Sequence, residues 1–240
     1  MILTIDLEHD EYLTGAKNRD IHFVRTMDAK LKLEAITGDA CLVQRYARVD
    51  LERLAEWRVW AVAISGNATG WEAYDEGDLE GVREIIRVAP VPIIGFCGGC
   101  QLIATTMGAQ VGPMGVLAQD EPDPHPDFGP AGLAKEFGFS HIRIVAADPL
   151  FEGLPQEPVF FQAHYFEIKE VPPEMALLAV SDCCRIQAIK RLDKPVYGTQ
   201  FHPERHDGDH PDGRTLLSNF FDLAHAQRPR DMGAVRTRNT

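Results

Sequence analysis

An apolar run, Val91-Pro-Ile-Ile-Gly95-Phe96, passes through Cys97-Gly98-Gly99 directly into an apolar helical stretch, Cys100-Gln101-Leu-Ile-Ala104. This is a strand, a sharp turn and a helix with no spacer, in the pattern Gly-x-nucleophile-x-Gly. The spacing has a steric cause. A residue on so tight a turn sits in strained backbone, and side chains two positions before and after it would collide unless they are glycine. Such a turn leaves the sulfur of Cys97 exposed at the carboxyl edge of a sheet, above a helix N-terminus. There the free N–H groups and the dipole favour thiolate over thiol, and the N–H of Gly98 is placed to receive an oxyanion. Two other readings fit the same residues. Cys97 is a small buried hydrophobe in a glycine turn, or Cys97-x-x-Cys100 is a redox pair at a helix start.

The rest of the chain alternates short Val/Ile-rich runs with longer mixed segments, which predicts βα units around a parallel sheet. Expected strands are Met1–Leu7, Ala40–Val43, Val59–Ile64, Val91–Phe96 and Val196–Phe201. Shorter ones, partly antiparallel, are expected at His141–Ala146, Val159–Gln162, Glu167–Val171, Leu177–Ser181 and Ile186–Arg191. Helices are expected at Glu76–Val88, Gln101–Met107 and Leu216–Ala224. One domain over residues 1–226 is expected, with insertions near 8–39 (helical between Asp28 and Ile36) and 120–132. Residues 227–240 are expected to form a disordered tail.

Composition narrows the function. With 24 Lys+Arg against 36 Asp+Glu, the net charge of −12 argues against nucleic-acid binding, which needs clustered cations. No apolar run approaches a membrane span, and the first residues lack a basic leader, so no membrane partner and a cytoplasmic location are expected. Five cysteines are an odd and sparse count, which points away from a disulfide framework.

A cysteine nucleophile needs a base, and the base needs an orienting acid. The strand Val196-Tyr-Gly-Thr-Gln-Phe201 ends at His202-Pro203-Glu204. Strand carboxyl ends gather on one edge of a parallel sheet, so His202 is expected to face Cys97, with Glu204 fixing the imidazole tautomer.

The elbow, the Gln-Phe-His-Pro-Glu segment and their order resemble class I glutamine amidotransferases, the Cys-His-Glu triad type. Ile64-Ser65-Gly66-Asn67 resembles the family's oxyanion loop. Lys135 to Gly138, Asp148 to Pro155 and Gln162 to Ile168 are similar to the amidotransferase part of GMP synthetases. The resemblance implies an α/β, flavodoxin-like three-layer sandwich with a mostly parallel central sheet. It implies catalysis by Cys97, His202 and Glu204, and an oxyanion held by Gly98, Gly66 and Asn67. Gln101, Tyr165 and Phe166 match positions that contact glutamine. The implied activity is a glutaminase acting through a Cys97 thioester, without cofactor or metal, on glutamine or a related amide. The ammonia acceptor is expected to be a separate synthetase subunit, since no Gly-x-x-x-x-Gly-Lys-Ser/Thr loop occurs. A stand-alone hydrolase of γ-glutamyl or other amides and a catalytically silent homologue are the alternatives.

The chain departs from the pattern at four places. Asn67-Ala68 stands for Gly-Pro in the oxyanion loop, Gly98 for Leu, Cys100 for His or Tyr, and Phe166 for the GMP synthetase Asp. The run His202 to Asp212 is dense in metal-ligand types but lacks a zinc spacing, and reads as a polar loop. Cys183-Cys184 reads as packing, and His164 as a structural histidine near the site.

Overall fold

The computed structural model describes residues 1–118 and 120–228. In chain order the strands are β1 Ile2–Asp6, β2 Cys41–Arg45, β3 Ala61–Ile64, β4 Ile93–Phe96, β5 Val111–Pro113, β6 Glu136–His141, β7 Arg143–Ile144, β8 Val159–His164, β9 Phe166–Ile168, β10 Met175–Val180, β11 Ala188–Arg191 and β12 Val196–Thr199. The helices are α1 Asp10–Thr14, α2 Ala16–Thr37, α3 Leu51–Glu56, α4 Glu76–Val88, α5 Gly98–Thr106 and α6 Asp212–Ala226.

One sheet of order β2-β1-β3-β4-β12-β11-β10-β7 organises the molecule. Its β2 to β12 portion is parallel, and β11, β10 and β7 follow antiparallel. Strands covered on both faces need apolar side chains on both, and β1 and β3 supply them in alternation. Leu3, Ile5, Val62 and Ile64 meet Leu79, Val82, Ile85 and Ile86 of α4 on one side. Ile2, Ala61 and Ala63 share the other side with Leu33 of α2 and Leu216, Phe220 and Phe221 of α6. This is the expected three-layer sandwich. Two small ribbons, β5–β9 and β6–β8, lie outside the main sheet.

Two sequence expectations change. The segment 8–39 is not an appendage. β1 and β2 pair in parallel, so a crossover must join them, and the 22-residue α2 is that crossover. The single strand expected at His141–Ala146 is divided between β6 and β7, which enter different sheets. The proline-rich stretch 120–132 is organised by a buried lysine. Lys135 Nζ donates to Asp123 at 2.7 Å and to the carbonyls of Phe128 and Pro130 at 2.8 and 3.0 Å. Of the expected tail, Arg228 pairs with Asp39 at 3.1 Å and lies over the Trp60 ring; residues 229–240 fall outside the described residues.

Candidate active site

β4 and α5 abut at Cys97, so α5 begins at Gly98 and not at Gln101, and its N-terminus lies at the sulfur-bearing residue. Cys97 has φ 49° and ψ −106°, strained backbone for a residue with a Cβ. The strain is held by a Cys97 N–H bond to the Thr199 carbonyl at 2.7 Å and by the Gln101 N–H on the Cys97 carbonyl at 3.0 Å. Both flanking glycines are required. A Cβ on Gly95 would lie 2.6 Å from the Gly99 carbonyl, and one on Gly99 would lie 2.4 Å from the Ile64 carbonyl.

His202 follows β12, the strand beside β4, so the two chain ends emerge side by side. A Cβ built on Gly66 would lie 3.0 Å from His202 Cε1 and 3.3 Å from Cys97 Cβ, so both residues border the same gap. His202 Nδ1 donates to Glu204 Oε1 at 2.6 Å, while its buried Nε2 has no hydrogen-bond partner among the described residues. Burial alone would lower the His202 pKa, but the charges of Glu204 and Cys97 outweigh it and push it up to about 9. Burial likewise opposes ionisation of Glu204, and the facing imidazolium holds its carboxyl below the usual range.

Gly66, Asn67 and Gly98 offer backbone N–H groups with no acceptor among the described residues. Two of the sequence departures here are one exchange. A Cβ on Gly98 would fall 1.8 Å from Asn67 Oδ1, so the Asn67 side chain fills the space a residue at 98 would need. The loop is tethered by Glu8, a residue expected to belong to an insertion. Its buried carboxylate accepts from the N–H of Ala68 at 2.8 Å, the N–H of Thr69 at 3.3 Å and the Thr69 hydroxyl at 2.9 Å. Asn67 Nδ2 also donates to the Thr69 carbonyl at 2.7 Å. These bonds do the stiffening for which a proline would otherwise serve.

Gln101 is a brace. Its amide oxygen accepts from Trp71 Nε1 at 2.9 Å, and its Nε2 donates to the Phe166 carbonyl at 3.3 Å and to Gln200 Oε1 at 3.1 Å. Gln200 in turn directs its Nε2 at the Cys97 sulfur, 3.5 Å away. Sequence reasoning assigns Gln200 no task; a polar residue in an otherwise buried strand end is the signal that could have found it. Tyr165 and Phe166 line the same cavity, about 360 Å³ in volume, with the Phe128 ring edge-on to Tyr165.

Other singled-out groups lie elsewhere. Cys100 is fully buried against Gly198, and burial first, then Cys97, pushes its thiol well up, which ill suits a redox partner. In the 202–212 run, His206 bonds the Pro203 carbonyl, and His210 pairs with Asp207 and stacks on Phe139. The donors that do converge are Glu136, His164 and Cys184, within 4.8 Å of one another and engaged with Ser181, Gln187, Gln162 and the carbonyls of Phe166 and Ile186.

A strained cysteine at a strand–helix elbow, a histidine–glutamate pair on the neighbouring strand end and a loop of free N–H groups have the arrangement a cysteine amidohydrolase requires, on a flavodoxin-like sheet. The sequence model of the class-I glutamine amidotransferases matches residues 48–224, and the chain belongs to that family. It is 35% identical over 144 residues to one subunit of the glutamine-hydrolysing GMP synthase of Pyrococcus furiosus, covering 60% of this chain and 66% of that one. The same subunit from Thermococcus kodakarensis is 31% identical over 173 residues, covering 72% and 80%. Among solved structures, a candidate GMP synthase subunit from Thermoplasma acidophilum superposes with TM-score 0.69 at 24% identity, over 95% of this chain and 96% of that one. A glutamine amidotransferase from Thermotoga maritima gives 0.61 at 16% identity, over 93% and 97%.

Proposed function

We propose that this chain hydrolyses the side-chain amide of glutamine through a thioester on Cys97 and supplies the ammonia to a separate synthetase subunit. The observation that carries this reading is the unpartnered Nε2 of His202, backed by Glu204 and bordering the same gap as the strained Cys97. The thiolate adds to the amide carbon, and the oxyanion rests on the N–H groups of Gly98, Gly66 and Asn67. The His202 imidazolium gives its proton to the departing ammonia. The neutral ring then takes a proton from water as that water attacks the thioester. Likeness to chains named as one subunit of a GMP synthase supports a separate acceptor chain. The test is stoichiometric release of ammonia and glutamate from glutamine, with and without an ATP-dependent synthetase partner.

A pH profile follows from the raised His202. The ring is protonated below about 9, so ammonia departure should slow as pH rises through that value. Glu204 is a principal raising influence, so Glu204→Gln is expected to move this alkaline limb of kcat/KM to lower pH. The same shift governs stability. A raised histidine stabilises the fold fully below its ordinary value of 6.5 and loses that contribution as pH climbs through about 9. A limb that stays in place in Glu204→Gln would break the link between the pair and proton delivery.

Glu8→Ala tests the tether. Removing three acceptor contacts frees the oxyanion loop without touching the thiol, so kcat is expected to fall roughly tenfold to a hundredfold, below the loss seen when a direct oxyanion donor is removed. Alkylation of Cys97 by a neutral thiol reagent should continue at close to the wild-type rate.

A further inference from the structure

The cavity holds more than glutamine hydrolysis needs. Next to His202 its wall is α2, tied to the turn after His202 by Lys32, whose Nζ donates to the carbonyls of Glu204 and His206 at 3.1 and 2.7 Å. Carboxylates and arginines from both elements line this part, with Asp6 and Glu8 beside them. Every carboxylate among them is engaged. Asp6 accepts from His22 at 3.0 Å and from Arg45 at 2.8 Å; Glu8 holds the oxyanion loop; Asp28 pairs with Lys32 at 2.8 Å; Glu204 holds His202. The two arginines are not engaged. Neither Arg25 nor Arg205 makes an ion pair or a side-chain hydrogen bond among the described residues; burial and then Arg25 lower the Arg205 pKa, against the charges of Glu204, Cys97 and Asp28, which act to raise it. Arg205 is held in place by the Phe161 ring, 4.5 Å from its guanidinium carbon.

Arg205, half-buried and without an ion pair, and Arg25, exposed at the rim of the same cavity, offer two guanidiniums to an anion there. Their position identifies which part of the substrate they meet. His202 delivers its proton to the leaving nitrogen, so groups attached to that nitrogen extend past His202 toward Arg205 and α2. Ammonia has no such group. We infer that Arg205 and Arg25 form a leaving-group subsite, and that the enzyme cleaves γ-glutamyl amides whose amine carries a carboxylate, such as γ-glutamyl amino acids. The inference rests on the Cys97 thioester reading. The thiolate bonds to the γ-carbonyl carbon, and the C–N bond breaks as the His202 proton passes to the amine. The amino acid leaves from the two arginines, and water then releases glutamate and restores the thiol.

The experiment compares kcat/KM for γ-glutamylglycine, γ-glutamylethylamide and glutamine in wild type, Arg205→Gln, Arg205→Lys and Arg25→Gln. The first two substrates share the reacting amide and differ in the carboxylate. Wild type is expected to prefer γ-glutamylglycine by roughly tenfold or more, the weight of one charge-assisted hydrogen bond. The preference should fall toward unity in Arg205→Gln, recover in part in Arg205→Lys, and shrink severalfold in Arg25→Gln. Arg25 is exposed on α2, so its replacement reads the subsite without a folding penalty. Equal rates for the two amides in wild type, or a preference that survives both glutamine variants, would overturn the inference. So would turnover of glutamine alone, which leaves the thioester reading standing. Absence of turnover on all three overturns that reading and this inference together.

Discussion

Cys97→Ala is expected to lower glutamine hydrolysis by roughly 10⁴-fold or more while leaving the protein folded. Groups that act as one catalytic unit lose nearly all rate enhancement when the nucleophile is removed, and only the oxyanion donors and binding contribute afterwards. Neither Cys100 nor Cys41 is placed to substitute. Cys100 is buried behind the elbow and Cys41 lies on β2, at the far edge of the sheet. Alanine keeps the Cβ and with it the backbone strain at φ 49°, so the change removes one sulfur that faces a cavity. Ammonia release and thermal melting, measured on the same preparation, check the two halves of this expectation. Retained turnover would remove Cys97 from the mechanism.

Gly99→Ala is expected to be the more damaging change to the fold. The new Cβ would lie 2.4 Å from the Ile64 carbonyl oxygen and 3.0 Å from its carbon. That carbonyl closes β3, which is paired on both edges with β1 and β4, so it cannot yield. α5 must lift from the sheet instead, carrying Leu102 and Ile103 out of the core. Overpacking against backbone puts the cost at about 3 kcal/mol or more, with activity lost as the elbow opens. Gly108→Ala is the control. Its φ of 96° strains an alanine, but nothing lies within 4 Å of the added carbon, so the expected cost is about 1 kcal/mol. Urea unfolding of the two variants separates collision from conformational strain.

The difference between what the sequence disclosed and what it hid is one of range. The elbow was legible because its determinants, Gly95, Cys97 and Gly99, lie within five residues and obey local sterics. His202 and Glu204 were legible because a strand end fixes where its next residues stand. The full length of α2 is hard to read from sequence because its burial runs against its pattern. Leu33 is its one fully buried residue, whereas Phe23, Val24, Met27 and Leu31 are exposed, so apolar spacing gave no core face to read. Glu8 escaped notice because its partners are sixty residues away in Ala68 and Thr69. Asn67 and Gly98 are two separate losses in the sequence and one exchange in the structure, where the Asn67 side chain and a Cβ at 98 exclude one another. Gln101 matched a substrate-contacting position, yet its amide is committed to Trp71, Gln200 and the Phe166 carbonyl.

The proposed hydrolysis requires a reactive Cys97 in a pocket that admits a γ-glutamyl group. Intact-mass analysis after treatment with a glutamine-like diazo-ketone tests it most directly, in wild type and in Cys97→Ala. A single adduct is expected in wild type that maps to Cys97, is suppressed by glutamine and is absent from Cys97→Ala. An adduct on another cysteine, or no adduct from a protein that still turns glutamine over, would contradict it.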